Sequence, residues 1–480
     1  MAASVLLSWR EGVAIEIDKE GSLRVEGPGS RMIFRKPTPS FASVLGRLAD
    51  PGEVEDRLAD SILAFDGAGA LPGWYFCISR LILRGWIVRT VWDEGKRLAT
   101  LVPNSPNSSP GLPMIGLDCS FVLSRFASLR RAAGSAVLES PLAHARVVFD
   151  DVRAASMVGA LATPATPGEL AGRVGGLTID AVTALLRLMA GAGMVDEVGP
   201  EGLEADETAL RTWEFHDLLF HARSRKGRSD APSGATYRFA GLGEPPPALK
   251  PDLPAESIAL DRPDLDRLGL DDPPLSKVME ERRSIRDFGT RPINARQLGE
   301  FLYRVARVKG RREVEVETSI GPLTMEFAYR PYPSGGALYE LEFYLAIHVC
   351  EGLEPGLYHY DGQSHRLGRI LGRTPEVERL LDDGAASAGI APDRIQVLVI
   401  LSARFPRLAW KYSSIAYALV LKHVGAAYQT MYLAATAMGL GSCALGGGDS
   451  DLFAKAAGIN YYAETSVGEF LLGSMAPADS

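Results

Sequence analysis

The segment 412–440 constrains the fold more than any other part of the sequence, because Lys422 is its only formally charged residue. Its apolar residues occur all around a predicted helix, and a helix without a polar face is buried in a core or an oligomer interface. Ser413 or Ser414 is expected to cap its start, and Gly439 or Gly441 its end. The segment therefore predicts a long helix buried within one chain or between two.

An internal repeat occupies the first half of the chain. Its paired segments are 21–34 with 134–149, 51–58 with 167–174, and 78–92 with 182–198. The first pair alternates apolar and polar residues around a proline and predicts β-hairpins, whereas the second predicts helix starts with an acidic first turn. The third pair predicts a helix, a glycine turn and a strand. This order indicates two winged-helix-like modules, expected at 1–110 and 111–204.

The charge balance bears on what such modules bind. The whole chain has 59 acidic and 51 basic side chains, and residues 1–205 have 23 and 20. Nucleic-acid binding requires clustered cations, and neither module has a basic stripe on its second helix. The composition therefore argues against a nucleic-acid partner and favours docking of an extended peptide, with a plain scaffold as the alternative.

Residues 205–275 separate the repeat from the second half of the chain. His216 and His221 are five residues apart, which is not the spacing of a helical metal pair, so we predict no metal site. We expect an amphipathic helix whose buried side is formed by Trp213, Phe215, Leu218, Leu219 and Phe220. Residues 226–275 are rich in Pro, Asp and Gly, and they predict an extended linker that wraps rather than packs.

The cysteines and the absence of long apolar runs indicate a location. The four cysteines, which form no CxxC pair, are Cys77, Cys119, Cys350 and Cys443. Free buried thiols in a reducing cytosol are therefore expected. No apolar run approaches the ~18 residues of a membrane span, and no basic residue precedes the short apolar stretch at the N-terminus. We expect a cytoplasmic protein without a membrane partner.

Three motifs in the second half are suited to ligand binding. The segment 282–288 holds three arginines and a serine, and Arg can recognise phosphate through two parallel hydrogen bonds. Arg283 and Arg286 would share a face if this segment were helical. The segments 332–339 and 441–448 are rich in glycine, which lets a backbone approach a ligand closely. The simpler alternatives are a solvated basic helix and ordinary turns.

These motifs resemble those of a known superfamily. Arg-Arg-Ser-x-Arg-x-Phe at 282–288, Pro-Ser-Gly-Gly-Ala-Leu-Tyr at 333–339 and Gly-Leu-Gly-x-x-x-x-Gly-Gly at 439–447 look like the flavin-binding nitroreductase superfamily. The pair Lys411-Tyr412 and a Trp-x-x-His-Asp-x-x-x-His segment before the domain narrow the resemblance. Together they resemble the SagB/ThcOx-type FMN-dependent azoline dehydrogenases of ribosomal peptide biosynthesis.

The resemblance implies an α+β fold class, with tandem winged-helix-like modules followed by a nitroreductase-like FMN-binding domain at 276–480. It also implies bound FMN and a homodimer in which both sites are built across the interface, with the segment 412–440 at its core. The residues implied to hold the FMN phosphate and the polar side of the ring are Arg282, Arg283, Ser284 and Arg286. Those implied to line the isoalloxazine and ribityl chain are Pro333, Ser334, Gly335 and Gly336. The backbone near the reactive flavin nitrogen is implied to come from Leu445, Gly446 and Gly447.

One departure from the family pattern concerns the phosphate. Many nitroreductases contact it with a Lys or Arg near the chain end, whereas residues 468–480 contain no basic residue. The phosphate then rests on the first arginine cluster alone, or on a residue that the sequence does not identify.

The reaction implied by the resemblance is the oxidation of a thiazoline or oxazoline ring in a ribosomally made precursor peptide to the aromatic thiazole or oxazole. FMN accepts a hydride, dioxygen reoxidises it, and a base takes the α-proton. Lys411 is the candidate base and Tyr412 its hydrogen-bond partner or proton relay. The pKa of Lys411 would need to fall toward ~7–8, and we expect the start of the following helix and burial beside Trp410 to lower it. The alternative is a solvated lysine at a helix start.

Two other functions compete with this one. A NAD(P)H-dependent nitro- or quinone reductase of the same fold would need no N-terminal repeat and gives no role to Lys411 and Tyr412. A peptide-docking scaffold with an inactive flavin domain would bind peptide without turnover. The resemblance implies a precursor peptide as partner, and a cyclodehydratase would have to supply its azoline rings.

Overall fold

The computed structural model describes residues 3–17, 21–27, 30–35, 37–105, 107–108, 112–199, 202–203, 209–251 and 254–476. The chain divides into two compact units, Met1–Ala231 and Pro232–Ser480. The predicted domain boundaries at residues 110 and 204 lie outside the described residues.

Strands and helices follow each other twice in the first unit. Its strands are β1 (Ser4–Trp9), β2 (Ala14–Ile17), β3 (Leu23–Gly27), β4 (Ser30–Phe34), β5 (Glu53–Val54), β6 (Ile87–Asp93), β7 (Lys96–Pro103), β8 (Ser120–Leu123), β9 (Ser128–Ala132), β10 (Ser135–Glu139), β11 (Ala145–Phe149), β12 (Val195–Gly199) and β13 (Gly202–Leu203). Its helices are α1 (Pro39–Gly46), α2 (Glu55–Asp66), α3 (Leu71–Leu83), α4 (Val152–Ala160), α5 (Pro167–Val174), α6 (Ile179–Gly191) and α7 (Phe215–Ser224).

The predicted repeat and its hairpins are confirmed. In the first copy β1 pairs with β6 and β6 with β7, and in the second β8 pairs with β12 and β12 with β13. The strands β2–β4 correspond to β9–β11, and the helices α1–α3 correspond to α4–α6. Each copy therefore places three helices before a closing antiparallel hairpin, which is the order of a winged helix.

Capping explains where the helices of the second copy begin. Helix α5 begins at Pro167 with Glu169 in its first turn, as predicted, and Thr166 and Glu169 exchange hydrogen bonds there in a capping box. The matching helix of the first copy begins later than predicted, at Glu55. Glu53 and Val54 are extended instead, because they pair with β1.

The two copies are joined through one seven-stranded sheet, in the order β5-β1-β6-β7-β11-β10-β9. The junction is the antiparallel pairing of β7, from the first copy, with β11, from the second. The tandem modules therefore share a continuous sheet within one compact unit.

The helix predicted near residue 215 is present, but its buried face differs from the prediction. Helix α7 buries Leu218 and Ala222, which lie four residues apart on one face, whereas Phe220 on the other side is 36% exposed. Trp213 precedes the helix and packs against the ring of His221. The prediction failed because the helix starts at Phe215, after Trp213 and not before it.

The second unit carries the remaining elements. Its strands are β14 (Gly234–Ala235), β15 (Ser257–Ala259), β16 (Gly310–Thr318), β17 (Gly321–Tyr329), β18 (Leu341–Ile347), β19 (Gly356–Asp361), β20 (Arg366–Leu371), β21 (Val397–Arg404), β22 (Tyr412–Ser413), β23 (Leu440–Leu445) and β24 (Glu464–Ser474). Its helices are α8 (Leu265–Asp271), α9 (Leu275–Glu281), α10 (Ala295–Ala306), α11 (Pro375–Ala388), α12 (Phe405–Ala409), α13 (Ala416–Ala437) and α14 (Ser450–Ala457).

A seven-stranded antiparallel sheet, ordered β15-β20-β19-β18-β21-β24-β23, forms the centre of this unit. Phe343 and Leu345 of β18 face a core shared with α10 and α13, whereas Tyr344 and Ala346 face a core shared with α11 and α14. Helices thus cover both faces, which explains why β18 and β21 are buried along their whole lengths and are mostly apolar.

The proline-rich segment packs closely, contrary to the prediction of a linker that only wraps. Strand β15 adds to the sheet edge beside β20, and Ala248 is fully buried. The carbonyl groups of Pro246 and Pro247 accept hydrogen bonds from the guanidinium groups of Arg407 and Arg404. Two buried arginines need such acceptors, and an extended segment offers its backbone oxygens to them.

Among the described residues, no single helix has the length and apolar character to cross a membrane; the bent pair α5 and α6 meets that test together by length and composition only. All four cysteines are free, with Cys350 and Cys443 buried and Cys77 and Cys119 half-buried.

Candidate functional site

The arginine motif lies in an extended segment and not on a helix. Helix α9 ends at Glu281, so Arg283 and Arg286 do not share a helical face. The segment instead lies along β23, because the amide of Ile285 donates to the carbonyl of Ser442 over 2.8 Å. The extended conformation therefore places the motif beside the strand that leads into the second glycine-rich loop.

Tyr432 of α13 fixes this segment from the other side. Its hydroxyl lies 2.8 Å from the Ser284 hydroxyl and accepts the amide of Ala444 over 2.7 Å, and the guanidinium of Arg282 stacks over its ring. Ser284 is thus hydrogen-bonded within the protein in this structure.

Two cations of the motif remain available for an anionic ligand. Arg283 and Arg286 are exposed, and neither forms an ion pair with the residues that the structure describes. The neighbouring Asp287 is paired with Arg394 instead. An unpaired pair of guanidinium groups beside a glycine-rich loop fits the phosphate of a flavin mononucleotide.

The loop after β23 offers open backbone. Gly446 and Gly447 are exposed, and a β-carbon at either position would meet no atom within 4 Å. Gly448 is different, because a β-carbon there would lie 2.4 Å from the carboxylate of Glu469. Burial raises the pKa of the Glu469 carboxyl group. The backbone at Gly446 and Gly447 therefore has room for the edge of a planar ligand, whereas Gly448 packs against the buried carboxyl group of Glu469.

The turn at 333–336 meets the Lys411-Tyr412 pair. Gly336 has a φ of +62°, and a β-carbon there would lie 2.5 Å from the Tyr412 hydroxyl and 2.8 Å from Lys411 Nζ. Only glycine tolerates both the left-handed backbone and this close approach. Folding thus brings together two motifs that lie far apart in the sequence.

Lys411 has an unusual environment for a lysine. It is half-buried, and its Nζ lies 5.4 to 5.7 Å from the ring centres of Phe327, Tyr412 and Tyr237. No carboxylate forms an ion pair with it among the residues that the structure describes. Burial, and secondarily the positive charge of Arg407, lower the pKa of Lys411.

The expected helix start beside Lys411 is wrong. Helix α13 begins at Ala416, because Tyr412 and Ser413 form β22, which pairs with β14. Neither serine caps the helix: the hydroxyl of Ser413 bonds to Thr236, and that of Ser414 donates to the carbonyl of Pro232. Burial is the main cause of the lowered pKa of Lys411, and the neighbouring Arg407 is the second.

The segment around Tyr237 belongs to the site, although no sequence pattern pointed to it. The amides of Thr236 and Tyr237 donate to the carbonyl of Lys411 over 2.9 and 3.1 Å, and the Tyr237 ring packs edge-on against Trp410. These contacts join segments that are distant in the sequence, and only the fold brings them together. Burial raises the pKa of Tyr237 and of Tyr412, so both phenols stay protonated.

Helix α13 is buried on one side only. Its buried residues include Val420, His423, Val424, Ala427 and Met431, whereas Tyr417 and Leu421 are 48% and 43% exposed. The helix ends as predicted, with Gly439 in a left-handed conformation shortly after Ala437. The exposed stripe of Tyr417, Leu421 and Gly425 is apolar and follows the four-residue spacing of one helical face.

The predicted site residues form two groups. The first holds the arginine segment with Leu445, Gly446 and Gly447, and the second holds the 333–336 turn with Lys411 and Tyr412. The first group is joined through the Tyr432 hydroxyl, whereas the second is brought together by the close approach of Gly336 to Lys411 and Tyr412.

Three protein families match successive parts of the chain. Residues 1–109 match the ThcOx helix-turn-helix domain, residues 121–230 the cyanobactin oxidase ThcOx, and residues 279–474 the nitroreductase family. A candidate nitroreductase of Methanocaldococcus jannaschii is 29% identical over 194 residues, which are 40% of this chain and 85% of that protein.

Solved structures of similar fold include a candidate nitroreductase of Ralstonia eutropha, with 21% identity, a TM-score of 0.35, and coverage of 49% of this chain and 99% of that one. A chain of the E. coli microcin synthetase McbBCD complex with truncated pro-MccB17 bound has 18% identity and a TM-score of 0.34, covering 58% of this chain and 99% of that one.

Proposed function

We propose that the chain is an FMN-dependent azoline dehydrogenase, because it joins a ThcOx helix-turn-helix domain and a cyanobactin oxidase ThcOx region to a nitroreductase-family domain. Its substrate is a thiazoline or oxazoline ring in a ribosomally made peptide, and its product is the thiazole or oxazole. The matches themselves establish an oxidoreductase domain of the nitroreductase family, and the azoline substrate and FMN belong to the proposal.

The observation that carries the proposal is the position of Lys411. Its ammonium group lies among aromatic rings, pairs with no described carboxylate and abuts the Gly336 turn. Burial destabilises its charged form, so a larger fraction of neutral amine is present near neutral pH than for an exposed lysine. A neutral amine at this place can accept a proton.

Lys411 and Tyr412 have separate roles in the proposed reaction. Lys411 Nζ takes the α-proton of the azoline, and Tyr412, held in its protonated form, donates a hydrogen bond and relays the proton to solvent. Bound FMN supplies the acceptor for the hydride, and dioxygen then takes up the electron pair. The rings of Tyr237 and Phe327 shield the amine from water and keep its pKa low.

The FMN is proposed to bind through Arg282, Arg283, Ser284 and Arg286 at its phosphate, through Pro333, Ser334, Gly335 and Gly336 along the ring and ribityl chain, and through Leu445, Gly446 and Gly447 at the ring edge. Ser284 is already bonded to Tyr432, so Arg283 and Arg286 carry most of the phosphate contact. No basic residue occurs in 468–480 to add to them.

Replacing Arg283 and Arg286 by Gln is expected to raise the Kd for FMN about 100-fold, because two charge-assisted hydrogen bonds are worth ~3 kcal/mol together. Fluorescence titration of the flavin-free protein measures it. Riboflavin, which lacks the phosphate, should bind both proteins equally, and Arg379→Gln, an exposed arginine on α11, should bind FMN like the wild type. Equal FMN affinity in the double variant would refute the phosphate assignment.

The working unit is proposed to be a homodimer formed through the apolar stripe of α13. In the proposed dimer, the arginine group of one protomer and the Lys411 group of its partner together build one flavin site. Leu421 lies in the middle of the exposed stripe.

Leu421→Arg is expected to convert the dimer to a monomer and to release the flavin, because an arginine would be desolvated in the apolar interface. Size-exclusion chromatography with light scattering measures the mass. Leu270→Arg changes a more exposed leucine on α8 and should leave the dimer intact. A dimeric, yellow Leu421→Arg protein would exclude α13 as the interface.

The first unit is proposed to hold the precursor peptide, and a cyclodehydratase is proposed to supply its azoline rings. The negative balance of residues 1–205 supports a peptide and not a nucleic acid as the partner.

The direct test is incubation of the purified yellow protein in air with an azoline-bearing peptide. Mass spectrometry should find the loss of two hydrogens per ring, together with hydrogen peroxide in equal amount. Peptide that binds but keeps its mass would instead indicate a docking scaffold with an inactive flavin domain.

A further inference from the structure

A buried histidine and glutamate lie directly beneath the 333–336 turn and have no part in the proposed reaction. His423 of α13 is 5% exposed, and Glu340, just before β18, is fully buried. His423 Nδ1 lies 2.6 Å from Glu340 Oε1, and the amide of Gly335 donates to His423 Nε2 over 2.6 Å. The two side chains thus form a chain of hydrogen bonds that ends on the turn.

The direction of these bonds sets the state of the imidazole. The Gly335 amide is a donor, so Nε2 must offer its lone pair, and the ring proton lies on Nδ1, where it is donated to the Glu340 carboxylate. A proton on Nε2 would place two donors against each other at 2.6 Å. The carboxylate therefore orients the imidazole and fixes the tautomer that can hold Gly335.

Glu340 also makes a direct hydrogen bond with the turn. Its other oxygen, Oε2, accepts from the Ser334 hydroxyl over 3.4 Å, and that hydroxyl also accepts the amide of Tyr339 over 3.0 Å. The carbonyl of Glu340 accepts the amide of Arg404, which fixes it to β21. Ser334 and Gly335 are thus both anchored to one buried carboxylate.

The next residue of the turn is Gly336, which approaches Lys411 and Tyr412 most closely. A β-carbon at Gly335 would itself lie 3.1 Å from His423 Nε2, so the turn is confined between the imidazole on one side and the Lys411 pair on the other. A shift at Gly335 would move Gly336 relative to the amine.

We propose that His423 and Glu340 are positioning residues, which hold the Ser334–Gly336 turn at the distance from Lys411 Nζ and Tyr412 that the reaction requires. The inference rests on the proposed function for its catalytic part. Its geometric part, the anchoring of the turn by the imidazole, is independent of flavin and substrate.

His423→Leu tests the proposal with two measurements. In the protein without substrate, amide hydrogen exchange of a peptide spanning Gly335 should become about tenfold faster, because the amide loses its buried acceptor. At saturating FMN the kcat for azole formation should fall ~10–100-fold, since the turn that is proposed to line the flavin and that abuts Lys411 is displaced, while KM for the peptide stays nearly unchanged. His423→Gln, whose amide can both accept and donate, should recover much of both quantities.

His359→Leu is the matched control, because His359 forms another buried pair with a carboxylate, Glu342, in the same unit. It should alter neither the exchange at Gly335 nor kcat.

Should His423→Leu fail to fold, Glu340→Gln replaces it, with faster exchange again expected. Unchanged exchange in the variants, or an equal loss of kcat in His359→Leu, would overturn the inference. If the wild type makes no azole at all, the proposed function fails, and the exchange result still decides whether His423 holds the turn.

Discussion

Lys411→Met is expected to lower kcat for azole formation by ~10²–10⁴-fold, the range of a general base, while the protein keeps its flavin. The thioether side chain fills the space between the rings of Tyr237, Phe327 and Tyr412 but cannot accept a proton. Single-turnover kinetics, followed by mass spectrometry, measure the loss. Lys455→Met removes an exposed lysine of α14, away from the proposed site and interface, and should retain the wild-type rate.

The pH dependence of the rate gives the same assignment a second test. Burial disfavours the charged amine, so the pKa of Lys411 lies below its ordinary value of 10.5. The wild-type kcat should therefore rise with pH, as Lys411 loses its proton, and level off below that value. Lys411→Met should lack this limb. A variant with the wild-type rate and pH profile would show that another group takes the α-proton.

Gly336→Ala is expected to lower kcat by about 100-fold, the cost of displacing reacting groups by ~1 Å. Its β-carbon would lie 2.5 Å from the Tyr412 hydroxyl and 2.8 Å from Lys411 Nζ, so both side chains must move. The left-handed backbone adds a cost of ~1–2 kcal/mol in the free energy of unfolding. Steady-state kinetics and thermal unfolding measure the two effects.

The matched control for Gly336→Ala is Gly458→Ala. Gly458 ends α14 with a φ of +66°, close to the +62° of Gly336, but a β-carbon there would meet no atom within 4 Å. Gly458→Ala should lose only the stability that the left-handed backbone costs, whereas Gly336→Ala should lose at least that much and, alone of the two, activity. An equal loss of kcat in both would attribute the effect to backbone strain alone.

Local sequence patterns predicted those elements and motifs that depend on residues close together in the sequence. The two hairpins of the first unit, the start of α5 at Pro167 and the glycine after α13 each depend on residues a few positions apart. The arginine motif, the glycine-rich turns and the Lys411 pair could be singled out because their residue types are unusual at that spacing. These patterns also carried the resemblance to the nitroreductase superfamily that the family matches confirm.

Contacts between distant residues were out of reach of the sequence. The predicted start of α13 was wrong because Tyr412 and Ser413 pair with β14. This strand lies near the start of the second unit, and no local sequence pattern predicts it. The same pairing brings Tyr237 to Lys411. The hydrogen bond from Arg407 to the carbonyl of Pro246 contradicted the expected linker that wraps rather than packs. The sequence left the conformation of 282–288 open, because the hydrogen bond that keeps it extended joins Ile285 to Ser442 of β23, a strand distant in the sequence.

The most direct test of the central claim is an anaerobic mixing experiment that asks which molecule reduces the flavin. The purified yellow protein is mixed in a stopped-flow instrument with an azoline-bearing peptide, or separately with NADPH, and the absorbance of the flavin is followed. We predict that the azoline peptide bleaches the absorbance, that admitted air restores it, and that NADPH leaves it unchanged. Prompt bleaching by NADPH with none by the azoline peptide would contradict the account and identify a nitro- or quinone reductase.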